Sequence, residues 1–371
     1  MTKLLLCYIS RRSGHHKAAL VLENALKITN RDLKLKVINP FHYTNPLLSK
    51  MTLKTYMGLI RRTPEIWDYL YDNRNVKART VKIRNFFQRI SMARIDKLLN
   101  EFYPDIVVCT QALPCCLFSQ YKKVKDKNIK VAAVITDYVV HSYWINDEVD
   151  VYFVPSREAA DRLIEAGIAA DRVHVSGIPI DLRFSDNTDK PRAKIKLGLP
   201  ASKSLITIMG GGYGLGSLED VITELLNISG ETFLLVIAGG NNKLYEALNR
   251  DYGGRENIRI TGYTDEINII MDATDILISK PGGITSAETM AKGVPMIINS
   301  PLPGQEKSNA RYLSDKNAAL LSRDAKDAGD LTKKLLTGEI DKKSLAENAL
   351  KIGNLKSAEI ISQKINELWL R

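Results

Sequence analysis

Four short stretches of this chain set polar or titratable side chains beside glycines where apolar runs end. In "SRRSGHHKAA" the residues His15 and His16 follow Gly14 directly, as an apolar run gives way to a helical pattern. Imidazole titrates near neutral pH, so either ring can exchange a proton during a reaction. A polar pair closing a helix turn is the plainer reading of the same residues. In "MGGGYGLG" the glycines Gly210, Gly211, Gly212, Gly214 and Gly216 lie between a strand pattern and a helix. Bare backbone amides can approach a diphosphate there, and the helix N-terminus adds partial positive charge, although tight turns also demand glycine. In "SKPGGITSAET" a turn through Gly282 and Gly283 precedes a helix that Thr285 and Ser286 are expected to cap, with Glu288 in its first turns. A carboxylate at Glu288 can accept both hydroxyls of a ribose, or simply complement the helix dipole. Finally, "PLPGQE" opens another helix with Gln305 and Glu306, directed at the same cleft.

The glycine loop does not end in the Gly-Lys-Ser/Thr of a P-loop. The following strand ends "VIAGG", without the acid about 20 residues on that a dinucleotide site uses for its ribose. A nucleoside diphosphate fits this pattern and a dinucleotide does not.

These loops need a scaffold, and the chain supplies it by alternating strand and helix. "KLLLCYIS", "LKVINP", "DIVVCT", "VAAVIT", "VDVYFVPS" and "RVHVSGIPI" make the first half, with a helix over 17–28. "SLITIM", "TFLLVIAGG", "IRITGY", "DILISK" and "VPMIINSP" make the second. This is the pattern of a doubly wound parallel sheet, met twice. The expected fold class is α/β, two Rossmann-like domains facing each other across a cleft. Residues 1–180 form the first domain, 181–355 the second, and 356–371 a terminal amphipathic helix. The polar stretch 181–200, with Pro191 and Pro200, reads as the connection. Ligands of such sheets bind at the carboxyl ends of the strands, where the unusual residues fall.

At 371 residues, 44% apolar and 26% charged, the chain can fill two cores. Cys7, Cys109, Cys115 and Cys116 show neither a CxxC pair nor a disulfide framework and read as reduced thiols. No apolar run reaches the roughly 18 residues of a membrane span, and the first is too short for a signal-peptide core. The net charge of +11 is concentrated: residues 41–99 hold twelve bases against four acids, among eight aromatic residues. Arg61, Arg62 and Trp67 belong to that segment. Bases interleaved with aromatics suit an anionic lipid surface, a nucleic acid, or a solvated helical face over ordinary core aromatics. Without a helix-turn-helix, zinc or RNA-recognition motif, nucleic acid is set aside and the lipid surface preferred for the segment as a whole.

Taken together and in order, "SGHHKAA", "TDYVVHSYW", "VSGIPI", "MGGGYGLG" and "KPGGITSAETMAKGVPMIINSPLPGQE" make the chain resemble the processive diacylglycerol glycosyltransferases and monogalactosyldiacylglycerol synthases, inverting enzymes of GT-B architecture. That resemblance implies a UDP-sugar donor, UDP-glucose or UDP-galactose, and a diacylglycerol-type acceptor at the cytoplasmic face of a membrane. It implies His15 as catalytic base, since an inverting transfer needs a group to take the acceptor hydroxyl's proton. Among the donor-binding residues it counts Gly14, Gly210, Gly211 and Gly212, with Tyr263 and Thr264 at the uracil, and Gly282, Gly283 and Thr285 beside Glu288. Glu288 is implied on the ribose, and Gln305 and Glu306 on the sugar hydroxyls.

Asp137 is expected to orient His15. His141 and Trp144 are placed near the acceptor, ordinary packing being the other account of the tryptophan. Arg12 stands where the family often has a further glycine. No cofactor and no metal are expected, because no Asp-x-Asp occurs anywhere in the chain. Helix dipoles and amides would stabilise the leaving group instead. The rival readings are a UDP-N-acetylglucosamine 2-epimerase, which needs no basic aromatic segment, and a nucleotide-sugar sensor without turnover.

Overall fold

The computed structural model describes residues 2–11, 13–40, 95–125, 128–210, 218–228 and 231–368. Arg12, Arg61, Arg62, Trp67, Gly211 and Gly212 lie outside the described residues, as does the basic aromatic segment from 41 to 94. The chain divides into two compact units, one of residues 1–179 with 356–371 and one of residues 180–355.

The first unit runs β1 (Lys3–Cys7), α1 (Gly14–Thr29), β2 (Lys34–Ile38), β3 (Ile106–Cys109), α2 (Ala112–Lys125), β4 (Lys130–Val134), β5 (Val151–Val154), α3 (Arg157–Glu165) and β6 (Val173–Val175). Its six strands are parallel, in the order β2-β1-β3-β4-β5-β6. The strand period of two divides the apolar run of β1 between the faces. Leu4 and Leu6 pack with Leu22 and Leu26 of α1 on one side, and Leu5 and Cys7 join Val107, Cys109 and Phe118 on the other. Strands covered on both faces need continuous apolar sequence, so β3 and β5 are buried at every position. Edge strand β2 instead alternates.

Helix α1 begins at Gly14, three residues before the expected start. Ser13 is its N-cap, with its hydroxyl accepting from the His16 amide at 3.2 Å and donating to the Ser10 carbonyl at 2.6 Å. All four cysteines are free thiols, three of them buried.

The second unit contains α4 (Lys190–Lys196), β7 (Ser204–Met209), α5 (Leu218–Leu226), β8 (Thr232–Ile237), α6 (Asn242–Tyr252), β9 (Ile258–Thr261), α7 (Ile267–Ala273), β10 (Ile276–Ser279) and α8 (Gly283–Ala291). After these come β11 (Met296–Ile298), α9 (Gln305–Asp315), β12 (Ala319–Leu321), α10 (Ala325–Thr337) and α11 (Lys342–Ile352). The parallel order β12-β11-β10-β7-β8-β9 is the one typical of dinucleotide-binding sheets, although the chain lacks their ribose acid. The stretch 181–200 is more than a connection. Asp189 caps α4 through the Arg192 amide at 3.1 Å, and Pro191 sits in its first turn. Lys194, 5% exposed, pairs with Asp275 at 2.8 Å and donates to the Lys203 carbonyl at 2.7 Å.

The last helix, α12 (Ser357–Glu367), belongs to the first unit. Ile361 and Ile365, four residues apart on one helix face, are fully buried in the cluster that holds Leu22 and Leu26. Asn366 adds a hydrogen bond to Thr29 Oγ1 at 3.1 Å.

Candidate functional site

In an open parallel sheet the loops diverge where the strand order reverses, and a crevice opens at the carboxyl ends of the two strands flanking that point. In the first unit these strands are β1 and β3. His15 lies just beyond the end of β1, in the first turn of α1. Thr110, directly after β3, donates its hydroxyl to the His15 carbonyl at 2.8 Å and reaches the Cys7 carbonyl at 3.3 Å. From the next strand, β4, the chain continues into Thr136, whose Oγ1 lies 2.7 Å from His15 Nδ1. His15 is thus held at its backbone from one strand end and at its ring from another.

Burial is the largest influence on the half-buried His15 ring and lowers its pKa, opposed by the Asp137 carboxylate and the Thr110 backbone. The result is a neutral imidazole near pH 7, the form that can accept a proton. Asp137 is 7% exposed and acts on His15 through its charge. His16 turns its ring toward Tyr8, centroids 4.3 Å apart, and its pKa is lowered first by burial and then by Arg11.

His141 is 6% exposed, and burial, aided by His15 and Arg162, pushes its pKa down to about 3. Its ring lies 6.0 Å from that of Trp144, which is 1% exposed. The Tyr152 hydroxyl pins this loop, donating to the carbonyls of Trp144 and Asn146 and accepting from the Asn146 amide.

In the second unit the order reverses between β7 and β10. The Ser279 hydroxyl ties the two ends by donating to the Met209 carbonyl at 3.1 Å. Gly210, buried, follows β7, and Lys280 follows β10. Lys280 is 7% exposed, and burial lowers its pKa against the raising influence of Glu306. The N-cap of α8 is Gly282, without a side-chain cap bond. Thr285 and Ser286 therefore do not cap the helix. They lie inside it, where Thr285 offers its carbonyl to the Thr289 hydroxyl at 2.6 Å. Among the described residues a Cβ built on Gly282 meets nothing within 4 Å, and its φ of −63° suits any residue.

Glu288 is 1% exposed on α8, and its charge is felt by Tyr263. Tyr263, 73% exposed after β9, donates to Asp265 at 2.9 Å, while Thr264 accepts from the Glu266 amide at 3.2 Å. The turn before α9 depends on Gly304, whose φ of 88° lies in the left-handed region. Gln305 and Glu306 open that helix, and Glu306 fastens its own loop by accepting from the Leu302 amide at 2.7 Å.

Gly210, Gly282, Gly283, Thr285, Glu288, Gln305, Glu306, Tyr263 and Thr264 thus all fall on loops or helix starts after strands of one sheet, and His15, Asp137, His141 and Trp144 after strands of the other. Gly14, exposed at the start of α1, belongs to the first unit. Sequence reading overlooked Thr110 and Thr136. The available signal was that "DIVVCT" and "VAAVIT" both end in threonine where a crevice loop begins. Among the described residues no group of three His, Cys, Asp or Glu side chains is arranged to hold a metal ion.

Comparison with known proteins bears on the family and the fold. Residues 15–180 match the monogalactosyldiacylglycerol (MGDG) synthase family, and residues 205–364 the glycosyltransferase family 28 C-terminal domain. The processive diacylglycerol beta-glucosyltransferase of Bacillus pumilus is 28% identical over 366 residues, 98% of this chain and 94% of that one. Its Bacillus cytotoxicus counterpart is 30% identical over 345 residues, 92% and 87%. The S. aureus MnaA–UDP co-structure shares the fold, with a TM-score of 0.66 at 15% identity over 100% of this chain and 97% of that one. The fold is the two-domain GT-B one, and by its near full-length identity to these enzymes the chain belongs to the family of processive diacylglycerol glycosyltransferases and monogalactosyldiacylglycerol synthases.

Proposed function

We propose that this protein transfers a hexose from UDP-glucose or UDP-galactose to the hydroxyl of diacylglycerol or a glycosyl-diacylglycerol, with inversion at the anomeric carbon. His15 Nε2 takes the acceptor's proton as its oxygen attacks, and UDP departs from the opposite face of the sugar. The observation that carries this reading is His15 itself, an imidazole kept neutral by burial and tethered at the strand-order reversal in a chain whose relatives are diacylglycerol glucosyltransferases.

In this reading the donor is bound by the second unit. Glu288 accepts the ribose hydroxyls, Tyr263 and Thr264 meet the uracil, and Gln305 and Glu306 meet the sugar. Amides of the glycine loop and of Gly282 and Gly283 offset the charge of the departing diphosphate. This chemistry needs no metal, so activity is expected to survive a chelator. Asp137 stabilises the imidazolium that forms on His15, and His141 and Trp144 border the acceptor.

Among the described residues no helix is long and apolar enough to cross a membrane. The excess of bases over residues 41–99, each contributing about 1 kcal/mol near an anionic surface, supports peripheral binding to the cytoplasmic face.

The test is a transfer assay with both UDP-sugars in vesicles of diacylglycerol and anionic lipid, comparing wild type with His15→Ala. Labelled lipid from the wild type alone, with less vesicle binding at high salt, is expected. Free epimer formed without lipid would replace this reading with that of a soluble UDP-sugar epimerase.

A further inference from the structure

A base that works once per turnover must hold its proton on one defined nitrogen and keep its other nitrogen engaged before and after the proton arrives. Resting on the assignment of His15 as that base, we propose that Thr136 is its positioning residue. The Thr136 hydroxyl accepts from His15 Nδ1–H and so reserves the lone pair of Nε2 for the acceptor hydroxyl.

The geometry is specific. Thr136 Oγ1 and His15 Nδ1 are 2.7 Å apart, joining residues 121 positions distant in the chain. Thr136 is 3% exposed, so bulk water does not compete for the contact. Its branched side chain has few rotamers to lose, and it stands two residues beyond the end of β4. The histidine backbone is fixed separately, by Thr110 from β3. Two hydroxyls from neighbouring strand ends therefore set both where α1 places His15 and how its ring is turned.

Two arrangements satisfy the distance. Either Nδ1–H donates to the hydroxyl, or the hydroxyl donates to a bare Nδ1. Only the first outlasts a turnover, because an imidazolium has no lone pair and the second would break each time the ring became charged. The other groups acting on this ring are the Asp137 carboxylate, the buried His141 and the Thr110 backbone, which hydrogen-bonds the ring and favours its charged form. Asp137 contributes a negative charge that favours the imidazolium, while the tautomer is chosen by the hydrogen-bonded partner.

The experiment joins a ring measurement to a rate measurement. In full-length protein labelled with 15N-histidine, the ring shifts report which nitrogen of His15 bears the proton, whether or not any sugar is transferred. Wild type and Thr136→Ser are expected to show the Nδ1–H tautomer, and Thr136→Val a mixture or the Nε2–H form. In the vesicle assay Thr136→Val should lose about tenfold or more in kcat, with the KM for UDP-sugar within about twofold of wild type. Thr136→Ser should stay within about threefold of wild type. The acid limb of kcat/KM should move to lower pH in Thr136→Val, because the lost acceptor favoured the charged ring.

A wild-type ring protonated at Nε2, or a folded Thr136→Val with unaltered tautomer and kcat, would overturn the proposal. If Thr136→Val does not fold, the wild-type and Thr136→Ser spectra still decide it. The assigned tautomer together with no transfer to lipid would instead refute the proposed function and leave the positioning contact standing.

Discussion

His141 should make the first unit sensitive to mild acid, by an amount that can be worked out. Its pKa falls from 6.5 to about 3 through burial, the nearby His15 and Arg162. The unfolded chain takes up a proton near pH 6.5 and the folded chain does not until about pH 3, so stability is lost as pH falls between those values. At pH 5 the deficit amounts to about 2 kcal/mol, and at pH 7 it is close to zero. Trp144 is buried in this unit and no tryptophan lies in residues 180–355, so the change in tryptophan fluorescence on unfolding reports on the first unit. Urea titrations at pH 7 and pH 5 should show wild type losing about 2 kcal/mol more than His141→Gln over this interval. Other acid-sensitive groups are common to both proteins and cancel in the comparison, apart from a small rise in the His15 pKa once its neighbour is gone. Equal losses, within about 0.5 kcal/mol, would mean that His141 is not held neutral by burial, and the reasoning would fail.

Three further outcomes follow from the second unit. Lys292→Met should destabilise it by about 3 kcal/mol or more in urea unfolding followed by circular dichroism. It strands Asp272, now paired at 2.7 Å with both side chains about 95% buried, and frees the carbonyl of Asp186; Lys292→Met with Asp272→Leu should recover part of the loss. Gly304→Ala, forced to a φ of 88°, should cost at least about 1 kcal/mol and raise the KM for UDP-sugar by shifting Gln305 and Glu306. Glu288→Gln should weaken UDP binding by about tenfold or more in calorimetry while leaving the unfolding midpoint near that of wild type, as expected for loss of a charge-assisted hydrogen bond.

The strands of both sheets except β12 were legible because their apolar runs are long and end in glycine, proline, serine or threonine, as in "DIVVCT" and "DILISKPGG"; β12, three residues at a sheet edge, offers no such run. The capping of α1 by Ser13 and of α4 by Asp189 was legible in kind but was overlooked. In the first case the histidines drew the helix start inward. In the second, Asp189-Lys190-Pro191 was read for its proline rather than for the N-cap that precedes it. The misplaced cap at Thr285 and Ser286 has a physical reason: the turn at Gly282 already permits the helix to begin, leaving both residues inside. Strand order and the contacts of Thr110 and Thr136 with His15 were not legible. They join positions about a hundred residues apart, and nothing local in a threonine says which loop it will meet.

The electrostatics of the first unit also decide where the transferred proton can rest. His15 and His141 lie within each other's field, so a charge on one disfavours a charge on the other, and their titrations belong partly to the pair. Burial lowers both, but Asp137 supports a charge on His15, whereas Arg162 disfavours one on His141. His141, protonated only near pH 3, is neutral at pH 7 and keeps this buried wall polar. Replacing His141 with lysine would reverse this arrangement. A fixed charge there would lower the His15 pKa further, moving the acid limb of the rate profile downward while weakening the base at neutral pH.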